Sequence, residues 1–279
     1  MLRQNETPPR LREKGFIVYP VYSRRSGGLS LGINLFPGKK CCSFNCPYCE
    51  VFPFFNEADF SPKQMEKTLR ADINAAMAKN EPIKDICFSG NGEPTMSGDF
   101  PEALRLAGQV RNELVNNAAL VLITNGAGFL NEKLFALLKE AAVSLPLDIW
   151  VKLDAGTPQW YKKMNRSGIP FEVITSKLKQ FAACAPLTIQ TMLCKVDGEG
   201  PPPDEAKVWE KLLVELALDA KSNLRKVQIY GKARPAPEDP KAAALPVEYL
   251  EERASSLRRA FIAANAATSI DAPIVEVFP

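Results

Sequence analysis

The sequence predicts an α/β protein built on a parallel sheet. Short β-branched runs alternate with longer amphipathic segments, and such alternation calls for right-handed crossovers between parallel strands. About six strand–helix units fit into the chain, fewer than the eight of a complete (β/α) barrel. A capping signal at the head of the clearest helix fixes where one of these units turns from loop to helix.

The elements follow in order. A first strand is read at Leu29 to Phe36, "LSLGINLF". The clearest helix runs from Ser61 to Asn80: Met65, Leu69, Ile73 and Met77 fall on one face, and Ser61-Pro62-Lys63-Gln64 supplies a capping box with proline at the first helical position. Further strands are read at Ile83 to Ser89, Ala119 to Thr124, Asp148 to Leu153, Leu187 to Cys194 and Lys226 to Tyr230. The other helices are Phe100 to Asn116, Asn131 to Ala142, Ile174 to Ala183, Glu205 to Ala220 and Pro246 to Ala264, and "APIVEVFP" closes the chain with a short strand. Two proline-rich passages, 197 to 205 and 232 to 246, read as long loops after strands. There is no internal repeat, and the 279 residues are read as a single domain.

Composition narrows the function classes. A net charge of +3 lacks the bulk basic footprint of a protein that holds nucleic acid by charge alone, and DNA is not expected as a partner. The N-terminus "MLRQNETPPRLREKG" is polar, and no apolar run approaches the roughly 18 residues of a membrane span. A soluble, cytoplasmic protein is therefore expected. Four of the seven cysteines crowd into "KKCCSFNCPYCE", Lys39 to Glu50, and the odd total does not suit a secreted disulfide framework.

Cys42, Cys46 and Cys49 form C-x3-C-x2-C on a loop directly after the first strand. Three thiolates at this spacing can each ligate one iron of a [4Fe-4S] cluster, leaving the fourth iron open to a substrate or cofactor. Zinc is the rival metal, although the chain has no histidine and no second C-x2-C pair. Buried apolar cysteines are the alternative to metal binding, a description that suits Cys87, Cys184 and Cys194. Cys41 is read as a neighbour of the ligands.

Polar residues gather at later strand ends. "SGNGEPT", Ser89 to Thr95, follows the second strand; "ITNG", Ile123 to Gly126, ends the third; and "VKLDAG", Val151 to Gly156, ends the fourth. Lys152 and Asp154 share a face by strand alternation, and a structural salt bridge between them is one reading. In "IQTMLC", Gln190 and Met192 share the face taken as the inner one.

C-x3-C-x-aromatic-C, here Cys42, Cys46, Tyr48 and Cys49, resembles the signature of radical S-adenosylmethionine (SAM) enzymes, and "SGNGEPT" resembles their glycine-rich motif with Asn91 in place of its first glycine. The chain is similar in particular to the wyosine-type tRNA-modifying radical SAM proteins, through residues 21 to 50, 151 to 168 and 171 to 181. The resemblance implies a partial (β/α)6 TIM-like barrel with a core at about 17–235, followed by a C-terminal helical extension at about 236–279.

The resemblance also implies two cofactors, a [4Fe-4S] cluster on Cys42, Cys46 and Cys49, and SAM. Tyr48 is expected to pack near the adenine or support the cluster loop. Asn91, Gly92, Glu93, Thr124, Asn125, Lys152, Asp154 and Gln190 are the expected SAM contacts. The reaction class implied is an oxidoreductase-type reductive cleavage of SAM to a 5'-deoxyadenosyl radical that abstracts hydrogen from substrate. An electron donor such as flavodoxin or ferredoxin is implied with it.

The substrate suggested is a tRNA base; a radical SAM activase or modifier acting on a protein and a non-catalytic metal-binding interaction module are the alternatives. True wyosine synthases carry a second cluster on upstream cysteines, and residues 1 to 40 contain none, so a single cluster is expected. Arg24, Arg25 and Arg234, with Asn165 and Arg166, are further candidates for holding an anionic group.

Overall fold

A computed structural model describes residues 15–219, 223–236, 239–265 and 271–279. The polar N-terminal stretch up to residue 14 and the last residue of the expected 205–220 helix lie outside the described residues. Contacts divide the chain into two compact units: one comprises the residues up to Cys42, Pro53–Thr124 and Glu140–Asp148; the other comprises Ser43–Phe52, Asn125–Lys139 and the residues from Ile149 onward.

The first unit carries strands β1 (Val18–Ser23), β2 (Gly28–Ile33), β3 (Ile83–Phe88) and β4 (Ala119–Thr124) in that spatial order. β2, β3 and β4 run parallel, while β1 pairs antiparallel with β2 through the register Val18↔Ile33 to Ser23↔Gly28. Sequence reading missed β1, because Pro20 interrupts its pattern and only Val18 and Tyr19 of its six residues are buried. Its placement explains Gly32: the Tyr19 ring lies where a Cβ at position 32 would stand, 2.3 Å from the nearest ring carbon. Tyr19 is thereby buried, and its hydroxyl shares a 2.9 Å hydrogen bond with Ser89.

Helix α1 (Pro62–Ala78) starts as expected, with Ser61 Oγ accepting from the Gln64 amide and Pro62 in the first turn. Its buried stripe is Met65, Leu69, Ile73 and Ala76, and Met77 is half exposed. A strict four-residue step outruns the 3.6-residue turn, so by the fourth position the stripe has rotated and Ala76 takes the inner place. α1 packs on α2 (Phe100–Leu114).

The second unit carries β5 (Leu147–Lys152), of which the last four residues belong to it, then β6 (Leu187–Lys195), β7 (Leu224–Gly231) and β9 (Ile274–Phe278). These strands are parallel in the order β5-β6-β7-β9, and a two-residue strand, β8 (Ala243–Ala244), pairs antiparallel with the end of β6. The extension expected to be helical contributes a helix and, in β9, a strand of the sheet. Along this sheet Lys152, Gln190, Gln228 and Glu276 stand in one register, each paired with the next. Members of one register share a face, which makes a polar row across four strands.

Helices α4 (Pro158–Asn165), α5 (Phe171–Ala182), α6 (Pro203–Leu218) and α7 (Val247–Asn265) complete the second unit, and α3 (Glu132–Ser144) contributes residues to both units. α4 is short, capped by Thr157 Oγ1 with Pro158 in its first turn, and was not read from the sequence. A stack of Phe129 on Phe181, centroids 4.4 Å apart, forms part of this unit's core. No helix among the described residues is long and apolar enough to cross a membrane.

Candidate functional site

In the first unit the glycine-rich loop is fixed by the residues just after β2 and by the start of the cysteine loop. The Cys41 amide donates to the Asn91 carbonyl at 3.0 Å, and the Glu93 amide donates to the Cys41 carbonyl at 2.8 Å. Gly92 lies between these bonds, and a Cβ there would fall 1.7 Å from the Cys41 carbonyl oxygen. Only glycine permits that approach. Asn91 is buried: its side-chain amide donates to the Phe36 carbonyl at 3.1 Å, and its backbone amide to Asn34 Oδ1 at 3.1 Å. Asparagine therefore ties the loop down where related motifs have glycine.

Glu93 is 2% exposed, and its Oε1 accepts from the Thr95 amide at 3.2 Å, Thr95 Oγ1 at 2.7 Å and Thr124 Oγ1 at 2.7 Å. Two expected site residues, Glu93 and Thr124, are thus brought together; Thr95 was missed. Cys41 is partly exposed and Cys42 is exposed. Arg24 and Arg25, candidates for holding an anionic group, sit in the β1–β2 turn, before the first residue of the six-residue β2.

In the second unit the site centres on Asp154. Its Oδ1 accepts from the Met192 amide at 2.8 Å, and its Oδ2 accepts from Asn165 Nδ2 at 2.9 Å and from the Tyr48 hydroxyl. Lys152 Nζ lies 3.7 Å from Oδ2, so the pair forms the salt bridge that strand alternation permits. Lys152 also touches the Tyr230 hydroxyl and stands 5.0 Å and 5.2 Å from the Tyr48 and Tyr230 ring centroids. Burial works against the Lys152 charge, but Asp154, and after it Tyr230, hold the ammonium above its ordinary range. Burial, then Asp154, raises the Tyr48 phenol well above its usual value, which suits a hydroxyl that donates.

Cys46 is buried and Cys49 partly exposed, with the Cys49 amide closing a turn on the Cys46 carbonyl at 3.0 Å. Asn165 Nδ2 approaches Cys46 Sγ at 3.5 Å, and the Asn165 carbonyl accepts from the Asn45 amide at 3.0 Å. Burial pushes the Cys46 thiol up, with Lys152 and the Asn165 amide opposing. Asn125 is buried, donating to Ser43 Oγ at 3.0 Å and accepting from the Ala127 amide at 2.9 Å.

Gln190 is buried and donates to Gln228 Oε1 at 2.8 Å, and Gln228 donates to Glu276 at 3.1 Å. Thr191, on the other face of β6, accepts from Trp209 of α6 at 3.2 Å, so Gln190 points away from that helix. Arg234 pairs with Glu50 at 2.8 Å. Tyr230 and Gln228 were not among the expected residues, though their alternation on β7 repeats that of Gln190 and Met192 on β6.

Cys87 and Cys194 are buried, as their apolar surroundings predict, and burial pushes the Cys194 thiol up to about 12. Cys184 is partly exposed. Among the described residues no three cysteine or carboxylate groups converge on one point as a single metal ion requires. A four-iron cube asks for less convergence, since each thiolate meets a different iron.

Residues 39–196, more than half of the chain, match the family model of the Radical SAM superfamily. The chain belongs to the radical SAM superfamily. It is similar to a UPF0026 protein of Helicobacter pylori (strain ATCC 700392 / 26695), 33% identical over 142 residues, which are 48% of this chain and 41% of that protein. It is also similar to UPF0026 protein slr1464 of Synechocystis sp. (strain ATCC 27184 / PCC 6803 / Kazusa), 32% identical over 180 residues, 62% of this chain and 63% of that protein. The match thus spans less than two thirds of either relative.

Solved structures show the fold. A radical SAM methyltransferase from Sphaerobacter thermophilus superposes with a TM-score of 0.65 at 14% identity, covering 93% of this chain and 69% of that one. TYW1 with a lysine-pyruvate adduct gives 0.54 at 16%, covering 93% and 79%. Streptococcus suis SuiB bound to S-adenosylmethionine gives 0.57 at 15%, covering 92% and 52%. The fold class is accordingly the partial TIM-like radical SAM fold, α/β with mostly parallel strands.

Proposed function

We propose that the protein is a radical SAM enzyme in which Cys42, Cys46 and Cys49 hold a [4Fe-4S] cluster beside SAM. The observation that carries this reading is the family match, which begins at Lys39 and takes in all three thiols and every strand-end residue expected to serve SAM. The local chemistry fits. The donor set is all sulfur, and the Asn165 side-chain amide lies 3.5 Å from Cys46 Sγ. When bound, the group supplies one electron for cleavage of SAM to methionine and a 5'-deoxyadenosyl radical.

The residues divide the remaining work. Gly92 offers close backbone approach for the methionine end of SAM, and Glu93, held by Thr95 and Thr124, fixes a carboxylate beside it. Asn125 braces Ser43 of the cysteine loop. Tyr48 braces the same loop by donating to Asp154. Asp154, whose oxygens take three protein donors, is assigned to positioning. Lys152 and Gln190, neighbours in register, present polar groups for SAM or substrate.

A tRNA base is the proposed substrate, supported by the similarity to wyosine-type proteins, and a flavodoxin or ferredoxin the proposed electron donor. The test is anaerobic reconstitution, dithionite reduction with SAM, and assay of 5'-deoxyadenosine. Cys42→Ala abolishes the product and Cys41→Ala, which keeps only the backbone contacts seen here, does not. Full iron content with no product from wild type would end the proposal. Failure of tRNA to co-purify or crosslink at low salt would move the substrate toward a protein.

A further inference from the structure

We propose that Asn165 tunes the iron–sulfur cluster: its side-chain amide donates a hydrogen bond to the Cys46 sulfur and raises the cluster's reduction potential, with Asp154 and Tyr48 holding the amide in place. The inference rests on the proposed function, since it requires a cluster on Cys46.

Asn165 is the last residue of α4, 1% exposed, and its Nδ2 carries two hydrogens. Nδ2 lies 2.9 Å from Asp154 Oδ2, 3.4 Å from the Tyr48 hydroxyl oxygen and 3.5 Å from Cys46 Sγ, the last within reach for a sulfur acceptor. Chemistry fixes the orientation of the amide. An ionised carboxylate and a ligating thiolate both only accept, so the flipped amide would set its oxygen against two anions. The position is held on every side. Asp154 is anchored independently by the Met192 amide and receives the Tyr48 hydroxyl, and the Asn165 carbonyl is tied to the cysteine loop by the Asn45 amide.

A ligand sulfur gains negative charge when its cluster is reduced. An N–H directed at it therefore favours the reduced state, and hydrogen bonds to sulfur are among the features that set cluster potentials. Burial of Cys46 strengthens the effect by removing competing water. Asn165 is thus a positioning residue acting through Cys46.

The test uses the reconstituted full chain and two readouts that loop anchoring alone would not move. In Asn165→Leu, which removes both N–H groups and keeps the branched shape, reduction of the cluster should become about tenfold less favourable, a potential about 59 mV lower for a one-electron couple. In wild type carrying 15N only in asparagine side chains, pulsed EPR of the reduced cluster should show a nitrogen coupling that the leucine variant lacks. An unchanged potential together with no such coupling in a fully loaded wild type overturns this inference and leaves the proposed function standing. A wild type that takes up no cluster overturns both. If the variant cannot be loaded, the wild-type coupling decides: its presence supports the proposal and its absence refutes it.

Discussion

Replacing Gly92 with alanine puts a methyl carbon 1.7 Å from the Cys41 carbonyl oxygen. Carbon and oxygen settle no closer than about 3.3 Å, so the two strands of chain must part by roughly 1.6 Å. The obstacle is backbone on both sides, and no side-chain rotation relieves it. The two bonds that flank Gly92, at 3.0 Å and 2.8 Å, would open beyond hydrogen-bonding range. Each is worth about 0.5–1.5 kcal/mol net, so Gly92→Ala should cost about 1–3 kcal/mol of stability. At the middle of that range the unfolding equilibrium shifts by roughly 30-fold. Urea denaturation of the metal-free protein measures the loss directly. Because Cys42 follows Cys41 in the chain, iron bound after reconstitution should fall as well. An alanine variant within about 0.5 kcal/mol of wild type, the range of an uneventful surface change, that still loads full iron would refute the claim that this contact holds the cysteine loop.

Two further predictions concern parts of the fold outside the proposed chemistry. Burial lifts the Asp85 carboxyl above its ordinary value of 3.8, against the pull of Ser26, Ser30 and Arg25, so the native chain keeps this proton to higher pH than the unfolded chain does. Its contribution to stability is complete below that ordinary value and is lost as pH rises through the native one. Asp85→Asn, which keeps an acceptor for Ser30, should gain on wild type as pH rises from about 4 toward neutrality; a gap that narrows instead would show the sign to be wrong. Arg166 closes α4 with φ 44° and ψ 41°, a left-handed conformation costly to a residue with a Cβ. Arg166→Gly should raise stability by about 0.5–1 kcal/mol after the extra freedom of glycine in the unfolded chain is counted, read as a higher denaturant midpoint at unchanged slope. A lower midpoint would mean that the guanidinium contributes more than the strain costs.

Local pattern carried the reading of most elements. The stretch 119–124 is a strand with the expected bounds, and the helices expected at 100–116 and 246–264 lie within two residues of those found. Patterns with a strong period are legible because a buried face imposes it. β1 and α4 were not legible: one is an edge strand broken by proline, the other a helix of eight residues, too short for periodicity to declare itself. Asn165 was singled out as a holder of anions, and its neighbour Asp154 as a SAM contact. Nothing in "KMNRSG" or "VKLDAG" shows that the two side chains meet, because they stand eleven positions apart in the chain, across a turn and a helix.

The sequence by itself determined the thiol spacing, the absence of histidine, the glycine-rich loop and the alternation of strands and helices, all of which are properties of residue type and near-neighbour order. Tertiary structure decided what each polar side chain does. Asp154 is a hub because donors from the cysteine loop, from β6 and from the end of α4 reach it at once. Gly92 is required because the Cys41 carbonyl, distant in the chain, stands where its Cβ would be. Contacts of this kind depend on where the chain returns after long excursions, and burial then makes their hydrogen bonds obligatory.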